Sequence, residues 1–265
     1  FRQHDVAFEV KALSPVPPDA QIPPTLRMSP AFKGKIRFTT LYAENRSGDN
    51  RLTLLRQHNG DDQTEAAVLR ALRWLKQQQQ PDGAWPRNKV AMTGLALLTF
   101  LSHGECPGAS PEFGTTVQRG VEYLLRVQNQ ETGILPPGNY EHPIAAYALC
   151  EAYGMTRHPN VKTAAEKALL PIIQGQHPTG GWTYHMNPNA DKETGQYRDD
   201  TSYMGWCAQA LKAAKLAGVH AEGLDKAMKL AVRGFKKNAD PDGGFGYTGP
   251  GAGGRAVSAR PYVGV

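Results

Sequence analysis

Gln176-His177-Pro178-Thr179-Gly180-Gly181-Trp182 is the stretch on which the fold turns, because it recurs along the chain. Related segments stand at Gln79-Gln80-Pro81-Asp82-Gly83-Ala84-Trp85, at Gln128-Asn129-Gln130-Glu131-Thr132-Gly133-Ile134 and at Asn238-Ala239-Asp240-Pro241-Asp242-Gly243-Gly244-Phe245. Counted from Gly83 through Gly133 and Gly180 to Gly243, the spacings are 50, 47 and 63 residues. A period of this size marks stacked supersecondary units, each with an apolar face that needs a neighbour. Inside the loop a Pro or Gly ends one helix, and Gly admits positive φ. The glutamine can reach backbone left unpaired at a helix end, and the large apolar residue packs back across the hairpin. Trp85, Trp182 and Phe245 therefore read as packing residues rather than catalytic ones.

Working outward, helical periodicity begins at Asp61, with Val68, Leu69, Leu72 and Leu75 on one stripe that ends at Pro81-Asp82-Gly83. Further apolar helical segments follow at Val90 to Leu101, Val117 to Val127, Ile144 to Tyr153, Ala164 to Ile173, Tyr203 to Leu216 and Leu224 to Phe235. The expected fold is all-α, a row of helical hairpins over residues 61–247. Residues 1–60 read as an arm. Pro15, Pro17, Pro18, Pro23, Pro24 and Pro30 keep residues 11–34 extended, a short strand is expected at Lys35 to Tyr42, and a short helix at Asn50 to Gln57. Residues 248–265 form a Gly-rich tail, so the row of hairpins is expected to stay open. An open row leaves an apolar edge that calls for a cap or a partner, and the Pro-rich arm is one candidate cap.

Composition narrows the function. Forty per cent of the 265 residues are hydrophobic, enough for a sizeable core. The longest apolar run, near Gly94 to Leu101, is too short to cross a bilayer, so no transmembrane segment is expected. The net charge of +6 arises mainly in residues 1–60, which hold nine Lys/Arg against five Asp/Glu. The helical part alternates sign and offers no basic stripe, which argues against nucleic acid as a partner. Cys106, Cys150 and Cys207 are an odd set without CxxC spacing and read as small buried apolar residues.

Gln79 to Trp85, with the pattern Gln-x(3)-Gly-x-Trp, and Gln176 to Trp182 resemble the QW repeat of squalene and hopene cyclases, whose relatives include prenyltransferase β subunits. Met92 to Leu98 and Tyr203 to Gly218 are similar to segments of bacterial prenyltransferase/squalene-oxidase-repeat proteins. The resemblance spans Asp61 to Tyr247. It implies an α/α toroid, a partial (α/α) barrel in which inner helices surround a cavity and outer helices form a belt. In that architecture all inner helices start at one end, where their free backbone donors collect. Superposing Gly94, Ala146 and Gly205 places Leu95, Tyr147 and Trp206 at equivalent positions. Tyr147, Tyr203 and Trp206, with His142 at an inner-helix start, are the expected ligand-contacting residues; ordinary interhelix packing is the alternative for each. Compartment is read only through the resemblance, as a piece of a longer bacterial envelope chain.

Asp199-Asp200-Thr201-Ser202 resembles the tail of the Asp-x-Asp-Asp-Thr-Ala motif with which hopene cyclases protonate an alkene, although Tyr197 stands at the first Asp position. Such a step needs a strong acid in a dry cavity. The same residues before an apolar run are also what helix capping requires. Gly180 to Tyr203 resembles the Gly-Gly to Arg-Asp-x-Tyr-His stretch of prenyltransferase β subunits, but Ser202 replaces the histidine. A zinc site would have to be drawn from His142, Cys150, His185, Asp199 and Cys207, whose spacing is not that of a zinc motif, so neither metal nor cofactor is expected. No Gly-x-Ser-x-Gly elbow and no phosphate-binding Gly-x(4)-Gly-Lys loop is present. The sequence leaves two functions: a module binding a partner chain at the open edge or an apolar isoprenoid-like ligand, or an acid-initiated isoprenoid cyclase or transferase using Asp199 and Asp200.

Overall fold

Periodicity, stop signals and caps agree along most of the chain, and a computed structural model describes residues 6–8, 36–38, 46, 48–241 and 243–251. The described residues form α1 (Gly48–Gln57), α2 (Asp62–Gln78), α3 (Lys89–His103), α4 (Gly114–Val127), α5 (Glu141–Thr156), α6 (Pro159–Gln174), a short 3-10 turn (Tyr184–Met186), α7 (Thr201–Ala217) and α8 (Leu224–Asn238). The class is all-α. Among the described residues a small ribbon joins β1 (Val6–Phe8) to β2 (Ile36–Phe38), antiparallel with Val6 opposite Phe38. β2 falls inside the strand expected at Lys35 to Tyr42, and α1 covers the helix expected at Asn50 to Gln57; β1 was not foreseen. The Pro-rich stretch 11–34 and the tail beyond residue 251 lie outside the described residues. No described helix is long and apolar enough to cross a membrane.

Helix ends follow local chemistry. Asp61 caps α2 by accepting the Thr64 N–H at 2.8 Å while the Thr64 hydroxyl accepts the Asp61 N–H, a reciprocal capping box. Pro159 opens α6, where its missing N–H is no loss. Gly104 and Gly218 stop α3 and α7 in the left-handed region, at φ 99° and 71°.

The helices pack in two layers. α3, α5 and α7 lie side by side, and α4, α6 and α8 pack behind them. α5 is buried on nearly every side, which is why its sequence lacks a polar face, whereas α4 and α8 carry apolar residues on one stripe only. Leu97, Phe100, Leu101, Val121, Leu149, Leu169 and Leu211 are fully buried in one continuous core. The inner helices run in the same direction. Asn88 before α3 donates to Glu141 at the start of α5 at 2.5 Å, and the Tyr140 hydroxyl meets Ser202 in the first turn of α7 at 2.6 Å. At the opposite end the Arg157 guanidinium donates to the carbonyl of Ala217.

The recurring loops join one unit to the next by a repeated set of bonds. Gln79 Nε2 donates to Gly83 O in its own loop and to Thr116 O on α4, both at 2.9 Å. Gln128 does the same to Gly133 O and Ala164 O on α6, and Gln176 to Gly180 O and Ala227 O on α8. The glycines hold φ of 88°, 75° and 103°, and each lies under a main-chain carbonyl of the same outer helix. A Cβ there would stand 2.4 Å from Arg119 O, 2.2 Å from Lys167 O and 2.1 Å from Leu230 O respectively. Glycine is required twice over, by conformation and by space. Trp85 and Trp182 anchor the loops backward, donating Nε1–H to Leu75 O and Ile172 O at 2.8 and 2.7 Å. The glutamine was expected to bond at a helix end; instead each side chain bonds to its own loop glycine and to a carbonyl of the following helix, which the sequence did not disclose.

Candidate functional site

The third loop is followed by an insertion that carries the 3-10 turn and returns to α7 through Arg198, Asp199 and Asp200. Asp199 is wholly buried. Its Oδ1 meets His177 Nδ1 at 2.7 Å and accepts the Thr179 hydroxyl at 2.9 Å, and its Oδ2 accepts Lys237 Nζ of α8 at 2.8 Å. A Cβ on Gly181 would stand 2.4 Å from this carboxyl group, so the fit admits no side chain there. His177 Nε2 is bonded in turn to Asn187 O at 2.8 Å. Burial alone would raise the Asp199 carboxyl, but the bonds from His177, Lys237 and Thr179 outweigh it and hold it below the usual carboxylate range. Asp199 is thus an ionised tie between the third loop, the insertion and α8. His177, Thr179 and Lys237 were not singled out from the sequence; aligning the loops would have flagged His177, which stands where Gln80 and Asn129 stand in the first two.

Asp200 caps α7. Its Oδ1 accepts the Tyr203 N–H at 3.1 Å and the Ser202 hydroxyl at 2.7 Å, while Oδ2 is buried and forms no hydrogen bond among the described residues. Tyrosines gather over this carboxylate. The Tyr140, Tyr184 and Tyr203 rings pack with centroids 5.4 to 5.8 Å apart, and the Tyr184 and Tyr247 hydroxyls are hydrogen-bonded. The Arg198 guanidinium sits over the rings of Tyr184 and Tyr247, 5.7 and 5.9 Å from their centroids. The bond to Tyr247, burial, and the nearby Tyr140 and Asp200 all push the Tyr184 phenol well up, so it stays protonated and able to donate. The result is a packed polar cluster at the amino ends of α5 and α7, with one Asp200 oxygen left outside any hydrogen bond among the described residues.

The other expected site residues are distributed differently. Tyr203 is fully buried inside the tyrosine group. Leu95, Tyr147 and Trp206 are each half-buried, on α3, α5 and α7 respectively. His142 is fully buried. Its Nδ1 accepts the Leu135 N–H at 3.0 Å and its Nε2 donates to Ala168 O at 2.9 Å, so both ring nitrogens are committed to backbone. The ring joins the second loop to α6 much as Thr93 receives the Trp85 N–H in the first unit. Burial pushes its pKa down to about 4, leaving it neutral. For His142 a ligand-contacting role is replaced by a structural one.

Cys150 and Cys207 are fully buried and free, Cys106 is half-buried and free, and His185 projects from the 3-10 turn. Among the described residues no three His, Cys, Asp or Glu side chains come together to hold a metal. Open clefts of about 490 and 520 Å³ occur between α4 and α6 and at the α7–α8 turn, and neither is lined by Asp199 or Asp200. Comparison with protein families and with curated proteins returns no match, so the site must be read from its own geometry.

Proposed function

We propose that this chain is a non-catalytic binding module of the squalene-cyclase-like α/α-toroid type, engaging a partner chain or an apolar isoprenoid-like ligand. The QW-type loops and the alternation of inner and outer helices support the toroid reading. The observation that carries the functional reading is the state of Asp199. A carboxyl group meant to protonate an alkene must hold its proton, whereas Asp199 is ionised and consumed by His177, Thr179 and Lys237. Tyr147, Trp206 and Leu95, each half-buried, are the residues this reading assigns to contact with the ligand or partner.

A second reading rests on Asp200. The Asp200 carboxyl group, buried with one oxygen outside any hydrogen bond among the described residues and set among tyrosine phenols, is where an acid-initiated cyclase or prenyltransferase-like reaction would have to draw its proton. Incubation with squalene and with farnesyl diphosphate, followed by mass spectrometry of the extract, separates the two. The binding-module reading expects recovery of both compounds unchanged. A product that disappears in Asp200→Asn, with that variant still folded, overturns it in favour of the enzyme.

A further inference from the structure

Among the described residues, the repeated join between units has an unfilled half at each end of the helical row. The fourth loop is built like the first three. Asp240 N–H closes on Gly244 O at 2.8 Å, as Gln80 does on Ala84 O, Asn129 on Ile134 O and His177 on Gly181 O. Gly243 holds the same positive φ, 84°. Yet a Cβ on Gly243 would meet no described atom within 4 Å, where its three counterparts would each strike a carbonyl of the following outer helix.

α2 is the complementary half. The outer helices seated on a loop present the residues 12 and 9 positions before the residue that ends them at Gln128, Gln176 or Ala239: Thr116 and Arg119, Ala164 and Lys167, Ala227 and Leu230. The next position is small in each, Gly120, Ala168 and Ala231, and a Cβ at Gly120 would stand 2.9 Å from Leu97 and 3.1 Å from Trp85. Counted the same way from Gln79, α2 offers Ala67, Arg70 and Ala71. All three are exposed. Arg119 and Lys167 donate to loop carbonyls of Gln80, Pro81 and Gln130, and Arg70 stands at their position with no hydrogen bond or ion pair among the described residues. Trp74, at the position of the buried Tyr123, is 57% exposed. Among the described residues, a helix with the pattern of a seated one has no loop beneath it, and a loop with the pattern of a seat has no helix on it.

We propose that α2 of a second copy of this chain docks on the fourth loop, Arg70 donating to the carbonyls of Asp240 and Pro241 and Trp74 becoming covered. This rests on the binding-module reading and names its partner. The contact is head-to-tail, joining two different surfaces of the same chain. The Asp240 carboxyl group, one of whose oxygens accepts the Gly251 N–H at 2.7 Å, adds negative charge to the loop that would receive the guanidinium. Ala239 stands where Gln79, Gln128 and Gln176 stand, so the amide that secures the other three joins is missing and the association is weak and concentration-dependent.

Sedimentation velocity of the full chain over a concentration series tests this. The expected result is reversible association that Arg70→Glu and Ala71→Trp each abolish. Both positions are exposed, so unfolding midpoints measured in parallel should not move. Ala239→Gln restores the missing amide and should tighten association about tenfold. A chain that remains monomeric even as Ala239→Gln, or that associates with no response to any of the three substitutions, overturns the proposal. Neither result bears on isoprenoid turnover, so failure of the binding-module reading would be seen separately.

Discussion

The imidazole of His177 and the carboxylate of Asp199 lie 2.7 Å apart, and neither side chain is exposed to solvent. Asp199→Asn keeps the shape of the group but removes the charge that His177, Thr179 and Lys237 share. The expected loss is about 3 kcal/mol, read as a lower midpoint in urea unfolding. Lys237 is 42% exposed, so Lys237→Met should cost less, roughly 1 kcal/mol. The Asp199 carboxyl is held below its ordinary range in the folded chain, so this stability is complete above the usual carboxylate pKa. It should be lost as pH falls through the depressed value.

His142 imposes a second and earlier acid sensitivity. Its folded pKa of about 4 lies below the ordinary value of 6.5, so the folded chain prefers the neutral ring. The contribution is whole above pH 6.5 and should drain away towards pH 4, on the order of 3 kcal/mol in all. Urea titrations at a series of pH values should show this decline, and His142→Gln should flatten it.

Four glycines with the same backbone conformation should respond unequally to one added methyl group. Gly180→Ala must move the Leu230 carbonyl as well as strain φ, and should cost well over 2 kcal/mol. Gly243→Ala strains φ alone, with open space around it, and should cost about 1 kcal/mol. Thermal unfolding of the two variants side by side measures the difference, and equal losses would mean that carbonyl contact does not secure the third loop.

Removing an amide should weaken the same join from the other side. Gln176→Ala gives up bonds to Gly180 O and Ala227 O at 3.0 Å each, and should cost roughly 1–3 kcal/mol with amide exchange accelerated first in α8.

The helices were legible because their signals are local. Asp61 acts within a turn of where it stands, and apolar periodicity carried the segments that follow, although α6 opens at Pro159, ahead of the segment read from Ala164. Gly94 marks a close helix contact in the same local way, since a Cβ there would stand 2.9 Å from Ile144. The Asp199 tie was not, because Lys237 stands 38 residues away in sequence and no period relates the two. The tyrosine group escaped notice because the insertion that brings in Tyr184 breaks the repeat and contains His185 at a φ of 58°, a conformation that no pattern announces. His142 was misread because a histidine at a helix start looks the same whether its ring faces a ligand or the chain's own carbonyls.

The glutamine of each of the first three loops bonds only to a main-chain carbonyl of the helix it receives, and the glycine asks of that helix chiefly a close carbonyl. Such a socket is indifferent to most of what it holds. Units joined this way can diverge in every outward-facing residue, or be gained and lost whole, while their neighbours go on fitting.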